Sequence, residues 1–447
     1  MQDNEFKLCA AISAKARVLL EDLRLHVGLP TGCGNKNALN ETRDRLTQRL
    51  RRLGATVELV PGEAKPEWLF EAGKGGSGSG AGHVPPTAVC RRARQRPVKG
   101  KGIEAGGADF DNSGKPVLIV GHLDTVHDPS GPFKALTVAP DGKTATGPGC
   151  VDMKGGLVIA VAALETLDEM GIDCEWTVVL NSDEETGSYH SEKALRAEAR
   201  KCAERGGVGL VLEPALPDGG LVVERLGSGQ FMVEARGRSA HVGRDFEKGV
   251  SAVTALAERL VTIGKMADPA RGLIVNVGPL QGGVATNVVP DLARAWGNVR
   301  FSSKAEADEL EGKLKGLETG DNGDGRLSPA GKPMPQHLPT GSRGQDLPIV
   351  RVHTSFNRPA KPLTPEVQKL AELAAAVAGE LGQKLPFGKT GGVCDGNILQ
   401  SEGLATIDTL GVRGGGLHTT SEWIEVASLV ERCQLLAVMV KRISEGQ

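Results

Sequence analysis

The segment Gly121–Val126 limits the fold most strongly, because it places two polar residues directly after an uninterrupted apolar run, Pro116–Val120. An apolar run of this length is typical of a buried strand in a parallel sheet. His122 and Asp124 are then expected at the carboxyl end of that strand, where open α/β sheets place their sites. The spacing suits a metal ligand, His122, beside an aspartate that accepts its ring N–H. A turn with a solvated histidine has the same spacing.

Four further segments present a metal-competent side chain after a strand pattern or in a glycine-rich turn. These segments are Gly147–Gly156 with Asp152, Trp176–Gly187 with Glu184 and Glu185, Val208–Pro214 with Glu213, and Gly414–Glu422 with His418. Together with His122 they supply two histidines and three or four carboxylates. This mixed nitrogen and oxygen set suits zinc, and it is sufficient for two ions that share one carboxylate.

Each of these segments also has an ordinary interpretation. Asp152 is a candidate N-cap for the apolar helix that follows it. The pair Glu184–Glu185 would stabilise the positive end of the next helix dipole. Glu213 and His418 would be solvated loop residues. The occurrence of all of them in one chain favours a single shared site.

In this order, the segments resemble the dizinc exopeptidases that include aminoacylase, acetylornithine deacetylase, succinyl-diaminopimelate desuccinylase and the glutamate-releasing carboxypeptidases of the G type. The resemblance runs from about residue 25 to residue 443, and the pair Glu184–Glu185 is its most specific motif. It implies two Zn²⁺ ions per chain, and Co²⁺ or Mn²⁺ suit the same ligands. The implied metal ligands are His122 and Glu213 for one ion, Glu185 and His418 for the other, and Asp152 as the bridge.

The resemblance also implies roles for residues that do not bind metal. The peptide bond after Asp152 is expected to be cis, Asp124 is expected to orient His122, and Glu184 is expected to be the general base. Zinc lowers the pKa of water towards neutrality, and Glu184 would accept the proton and pass it to the leaving amine. A glutamate at position 213 resembles the carboxypeptidase and deacylase branches more than the dipeptidase branches.

Three residues between positions 240 and 300 match family positions that contact the reacting group or the substrate. By resemblance His241 stabilises the oxyanion in the active site of the partner subunit. The alternative is a histidine at a helix start that makes only a local hydrogen bond. Asn287 and Arg300 would contact the carboxylate side of the substrate, since an arginine fork binds both oxygens of a carboxylate. Arg300 could instead be a surface charge at a strand end.

Composition excludes several classes of partner. The formal net charge is −2 and aromatic residues make up 3% of the 447 residues, which gives no support for a nucleic-acid partner. The sequence has no signal peptide and no apolar run of transmembrane length, so a cytoplasmic protein without a membrane partner is expected. The eight cysteines include no C-x-x-C pair, which indicates free thiols.

Alternating strand and helix patterns predict an α/β fold with a mostly parallel sheet flanked by helices. We expect a catalytic domain in two parts, residues 1–225 and 358–447, around an inserted domain, 226–357. The insert reads as strand-helix-strand-strand-helix-strand, and the resemblance implies a ferredoxin-like α+β domain for dimerisation or as a lid. Cys394 stands where the family has serine or threonine, and a thiol forms a weaker hydrogen bond.

Two stretches, 73–107 and 320–345, depart from the family pattern and read as surface insertions. The first carries a basic cluster that would either be solvated or dock an acidic partner. The cluster consists of Arg91, Arg92, Arg94, Arg96, Lys99 and Lys101.

The sequence therefore predicts a homodimeric dizinc metallopeptidase that hydrolyses an amide bond next to a free carboxylate in a small-molecule substrate. The segments Leu212–Pro214 and Gly391–Asn397 resemble the glutamate carboxypeptidase branch. The alternative is an N-acyl-amino-acid deacylase, such as acetylornithine deacetylase or succinyl-diaminopimelate desuccinylase. A catalytically inactive relative would have lost a ligand or the base, and none is lost. A metal-dependent phosphoesterase leaves the inserted domain unexplained.

Overall fold

A computed structural model describes residues 1–70, 84–94, 114–319 and 347–446. Most of the two predicted insertions, 73–107 and 320–345, lies outside these residues. The same holds for Arg96, Lys99 and Lys101 of the predicted basic cluster, and for His83 and His337, which the sequence assigns no role.

The helices of the described residues are α1 Asp3–Ala14, α2 Ala16–Val27, α3 Lys36–Arg52, α4 Gly155–Glu169, α5 Glu192–Glu204, α6 Ala252–Gly264, α7 Lys304–Lys315, α8 Pro365–Glu380, α9 Asp395–Ser401 and α10 Ala427–Ser444. Among them, no helix has both the length and the apolar composition needed to cross a membrane. The cytoplasmic location stays a prediction.

The strands are β1 Thr56–Val60, β2 Thr87–Arg92, β3 Val117–His122, β4 Thr137–Val138, β5 Thr144–Thr146, β6 Trp176–Asn181, β7 Val208–Val211, β8 Leu221–Arg225, β9 Gly227–Arg236, β10 Ala240–His241, β11 Ile274–Gly282, β12 Val288–Val289, β13 Leu292–Phe301, β14 Ile349–Arg358, β15 Phe387–Thr390, β16 Ala405–Ile407, β17 Gly414–Gly415 and β18 Trp423–Glu425.

The central sheet is mostly parallel, and the predicted fold class is confirmed. Its strand order is β1-β2-β6-β3-β7-β16, in which β6, β3, β7 and β16 run parallel and β2 pairs antiparallel with both of its neighbours, β1 and β6. Every residue of β3 is buried, as expected for an apolar strand in the middle of a sheet that helices cover. Helix α4 begins in the glycine pair that follows the Asp152 turn, and it is buried on all sides from Gly155 to Leu164.

One prediction for the first insertion is wrong, because residues 87–92 form a strand of the central sheet. β2 lies between β1 and β6, and its side chains are almost all buried. Arg91 pairs with Glu198 at 2.7 Å, and Arg92 pairs with Asp168 at 3.0 Å. Arg91 and Arg92 are therefore neutralised by these carboxylates and offer no free docking surface, whereas the exposed Arg94 donates to the Ser444 carbonyl at 3.1 Å.

The chain forms two compact units. The described residues of the first are 1–64, 84–94, 114–225 and 361–446, and those of the second are 65–70, 226–319 and 347–360. The second unit has a four-stranded antiparallel sheet of order β11-β13-β9-β14, with α6 between β9 and β11 and α7 between β13 and β14. Along the chain, β9, α6, β11, β13, α7 and β14 follow one another in the predicted strand-helix-strand-strand-helix-strand order. Residues 65–70 belong to the second unit, whereas the sequence placed all of 1–225 together.

Candidate metal centre

The carboxyl ends of three neighbouring strands bring predicted ligands to one edge of the central sheet. β3 ends at His122, and β7 ends two residues before Glu213. β6 is followed by a short turn of helix, Glu184–Thr186. Because β3 lies between β6 and β7 and all three run parallel, these ends lie side by side.

The His122 ring is buried, with one nitrogen fixed by the backbone and the other facing carboxylates. Its Nδ1 donates to the backbone oxygen of Asp124 at 2.9 Å. In the neutral ring Nε2 is therefore the nitrogen available as a ligand. Nε2 lies 3.2 Å from Asp152 Oδ1 and 4.0 Å from Glu213 Oε2. Burial lowers the pKa of this imidazole, but the surrounding carboxylates outweigh burial and raise the pKa well above its usual value.

The Asp124 carboxylate makes other contacts than the one predicted. Its Oδ1 lies 3.6 Å from His122 Nδ1, which is too long for a hydrogen bond. The carboxylate instead accepts the backbone N–H groups of Glu184 at 3.2 Å and Glu185 at 3.0 Å. The Asp124 side chain thus fixes the turn that carries the acidic pair, and its backbone carbonyl orients His122.

Asp152 lies between the two predicted histidine ligands. Its Oδ1 is 3.2 Å from His122 Nε2, and its Oδ2 is 3.5 Å from His418 Nε2. The Asp152–Met153 peptide bond is cis, as predicted. Burial raises the pKa of a carboxyl group, but the two histidine rings outweigh burial and hold the pKa of Asp152 below its usual range. Each carboxylate oxygen of Asp152 therefore faces a different histidine, as expected of a carboxylate that could bridge two metal ions.

His418 and Glu185 form the other side of the cluster. His418 Nε2 lies 3.4 Å from Glu185 Oε2. The backbone of His418 has a φ of 61°, in the left-handed region that residues other than glycine adopt only rarely. Burial, with the nearby carboxylates, raises the pKa of Glu185 to about 9.

The nitrogen and oxygen atoms of this cluster suit divalent cations, and two of the carboxylate oxygens have no hydrogen-bond partner. Ligand atoms of His122, Glu184 and Glu213 lie within 4.8 Å of one another, as do those of His122, Asp152 and Glu185. Within the described part of the chain, Glu185 Oε1 and Glu213 Oε1 are buried and accept no hydrogen bond. Buried carboxylates normally have such partners or bind metal. Nitrogen and oxygen ligands in this number therefore fit zinc or a similar ion.

The second unit carries His241, Asn287 and Arg300. His241 and Asn287 lie close together, and Arg300 lies elsewhere in the unit. His241 is exposed at the end of β10, and the backbone N–H of Val242 donates to the carbonyl of Asn287 at 3.0 Å. Arg300 lies at the far end of β13, where it pairs in register with Ile274. The loop that contains Asn287 leaves β11 at the opposite end of the same strand pair.

Sequence reasoning assigned no role to Glu422, although this residue contacts the Asp152 turn. The Glu422 side chain is buried and accepts the backbone N–H of Asp152 at 3.0 Å. It stands four residues after His418 in a segment that the sequence singled out. The available signal in the sequence was a carboxylate close to a predicted metal ligand. Its partners could not be identified, because they lie about 270 residues away in sequence.

Cys394 has a capping role in the first unit. Its buried Sγ accepts the backbone N–H of Gly396 at 3.3 Å, at the start of α9. Burial raises the pKa of this thiol well above its usual value. The thiol therefore takes the place that a hydroxyl would have as a helix cap.

The sequence profile of Peptidase family M20/M25/M40 matches residues 118–442, which include all the residues of this cluster. The chain is 25% identical over 451 residues to carboxypeptidase G2 of Pseudomonas sp. (strain RS-16), covering 100% of this chain and 94% of that enzyme. It is 28% identical over 356 residues to succinyl-diaminopimelate desuccinylase of Methylorubrum populi, covering 73% of this chain and 84% of the relative.

Among solved structures, aminopeptidase PepT from Bacillus cereus has the same fold, with a TM-score of 0.64 and 18% identity over 96% of this chain and 98% of that one. The chain therefore belongs to peptidase family M20/M25/M40, and it is a hydrolase that acts on amide bonds. The predicted resemblance and the enzyme class are confirmed.

Asp152→Asn tests whether this carboxylate joins two metal sites. An asparagine has one acceptor oxygen, and its NH2 group would face one of the two histidine nitrogens. After dialysis against zinc and gel filtration, we expect two ions per wild-type chain and at most one in the variant, measured by elemental analysis. Asp141→Asn changes an exposed aspartate and is the control. Two tightly held ions in Asp152→Asn would contradict the assignment.

Proposed function

We propose that this protein is a dizinc carboxypeptidase that hydrolyses an amide bond next to a free carboxylate and releases a C-terminal glutamate or a similar amino acid. The observation that carries the proposal is Asp152, whose two oxygens lie 3.2 Å from His122 Nε2 and 3.5 Å from His418 Nε2. Similarity to carboxypeptidase G2 over the whole chain supports the substrate class.

The ligands divide into two sets that share Asp152. His122 and Glu213 would hold one ion, and Glu185 and His418 would hold the other. The contacts between Asp152 and both histidines support this division, as does the 3.4 Å contact between Glu185 and His418. Zinc is the metal we assign, because imidazole and carboxylate ligands in a closely packed site suit it.

Glu184 acts as the general base in this proposal. When bound, the two ions lower the pKa of water and polarise the scissile carbonyl. Glu184 takes the proton of the attacking water and later gives it to the leaving nitrogen. The Asp124 carboxylate supports this role, because it accepts the backbone N–H groups of residues 184 and 185 and so fixes the turn that carries both side chains.

Glu184→Gln distinguishes a base from a ligand. The amide cannot accept the proton, so we expect kcat to fall by about 10²–10⁴-fold while both zinc ions stay bound. Elemental analysis and steady-state kinetics on the same sample check this. Glu192→Gln, which changes a glutamate paired with Arg196 on α5, is the control. Loss of one ion, with activity restored by added zinc, would make Glu184 a ligand instead.

The second unit supplies polar groups for the substrate in this proposal. His241 donates to the developing oxyanion in the partner subunit of a homodimer. Asn287 and Arg300 would contact the carboxylate side of the substrate from different subunits, because they lie at opposite ends of the β11–β13 pair. The Arg300 guanidinium donates to neutral acceptors, Ser228 Oγ at 2.6 Å and the Val299 carbonyl at 3.0 Å. In the described residues no carboxylate pairs with it, so a substrate carboxylate would be its first ionic partner.

Mixing two inactive variants tests both the homodimer and the trans role of His241. In a mixed dimer of Glu184→Gln and His241→Ala, one site has an intact base and receives an intact histidine from its partner. Random exchange should therefore restore about one quarter of wild-type activity, since half of the dimers are mixed and each has one complete site. Arg244→Ala, in the same exposed turn, should retain activity on its own. No restoration in verified mixed dimers would rule out the trans role.

A substrate panel tests the reaction itself. We expect chelator-sensitive release of glutamate from N-acyl-glutamates, including a folate-type substrate, by zinc-loaded protein. N-acetylornithine, N-succinyl-diaminopimelate and simple dipeptides complete the panel. Preferred cleavage of the succinyl compound would favour the deacylase alternative, for which the 28% identity to a succinyl-diaminopimelate desuccinylase is the specific support. Glutamate release that persists with the chelator would contradict the metal mechanism.

A further inference from the structure

The Glu422 carboxylate forms four contacts in a fully buried position of the first unit. Oε1 accepts the backbone N–H groups of Val151 at 2.9 Å and Asp152 at 3.0 Å. Oε2 accepts the backbone N–H of Gly149 at 2.8 Å and lies 2.6 Å from His127 Nε2, which donates to it. The residue is 1% exposed, so water does not compete for these contacts.

The Asp152 turn depends on such an acceptor. The N–H groups of residues 149, 151 and 152 converge on one point, an arrangement that favours an anion. Buried N–H groups without an acceptor destabilise a structure, so an anion here fixes the turn. Gly149 has a φ of 69°, and a side chain on it would meet Thr125 Cγ2 at 2.5 Å. The observed path of the turn therefore requires glycine at position 149.

The same carboxylate joins three segments that carry ligands. His127 follows His122 in the loop after β3, and the backbone around Asp152 donates three of the hydrogen bonds. Glu422 itself stands four residues after His418. A movement of Glu422 would therefore change the position of Asp152 relative to His418, whose nearest atoms are 3.5 Å apart. Metal affinity is sensitive to such displacements, because ligand distances must hold within about 0.2 Å.

We propose that Glu422 is a positioning residue of the metal centre, and that it sets the affinity for the ion held by Asp152, Glu185 and His418. It does so by holding the Asp152 turn and the His418 segment in one fixed arrangement, with His127 as its ionic or hydrogen-bonding partner. This inference rests on the proposed metal centre. Outer-shell partners of metal ligands typically change affinity by about 10–100-fold when they are replaced.

Glu422→Gln is the main test, with zinc affinity as the readout. The amide keeps one acceptor oxygen, but its NH2 group would face two donors, the Gly149 N–H and the His127 ring. Titration of metal-free protein against a competing chelator should show the ion held by Asp152, Glu185 and His418 bound 10–100-fold more weakly, with a smaller loss for the other ion, which shares Asp152. Glu425→Gln is the matched control, because Glu425 lies in the same segment and pairs with Arg413 at a half-exposed position.

Two further measurements separate positioning from a general structural role. The absorption spectrum of the cobalt-loaded variant should change, because the ligand geometry around Asp152 and His418 changes, and a double-mutant cycle of Glu422→Gln with His127→Gln should be non-additive in zinc affinity. A variant with a lower melting temperature but wild-type affinity for both ions would overturn the inference. If wild-type protein binds no zinc, the proposed function fails, and the inference fails with it.

Glu422→Asp and His127→Gln cover the case in which Glu422→Gln does not fold. The shorter aspartate should reach fewer of the three N–H groups, and the glutamine should remove the imidazole contact while the turn keeps its acceptor. Each should weaken one zinc site several-fold. Wild-type affinity for both ions in both variants would overturn the inference.

Discussion

The central constraint of this structure is the burial of several carboxylates and an imidazole at one edge of a parallel sheet. Burial raises the pKa of Glu213 well above its usual value and that of Glu185 to about 9, which shows how unfavourable their charges are without a counter-ion. Buried charge of this kind is tolerated when it is paired or coordinates a metal. The buried oxygens of Glu185 and Glu213 have no donor in the described part of the chain, so a cation is the partner that resolves the conflict.

The ligands are held mainly through their backbones. Asp124 accepts two N–H groups of the turn that carries Glu184 and Glu185, and Glu422 accepts three in the turn that carries Asp152. Each of these carboxylates therefore accepts hydrogen bonds from backbone N–H groups of an irregular turn. In a β-sheet the carbonyl groups of the neighbouring strand would accept such bonds. The side chains of the proposed ligands are therefore not needed to hold these turns and would be available to a metal ion.

The sequence was sufficient where the signal is local. The apolar run before His122 predicted β3 and the position of the site, because parallel strands end at a common edge. It was insufficient where a partner is distant. The glycine-rich surroundings of Thr87–Arg92 concealed a buried strand, whose pairing with β1 and β6 depends on long-range contacts. The role of Asp124 and the contacts of Glu422 also depend on backbone groups that no side-chain pattern reveals.

In the proposed function, the chemistry and the substrate preference depend on residues in different parts of the chain. A carboxypeptidase and a deacylase need the same ligands and base, so the cluster of the first unit cannot distinguish the two activities. The identities of 25% to a carboxypeptidase and 28% to a desuccinylase are also too similar to distinguish them. Discrimination must come from groups that recognise the rest of the substrate. Arg300 fits this role, because burial lowers its pKa and only neutral oxygens solvate it among the described residues. A substrate carboxylate would gain a charge-assisted, bidentate contact there, which a substrate without that group would forfeit.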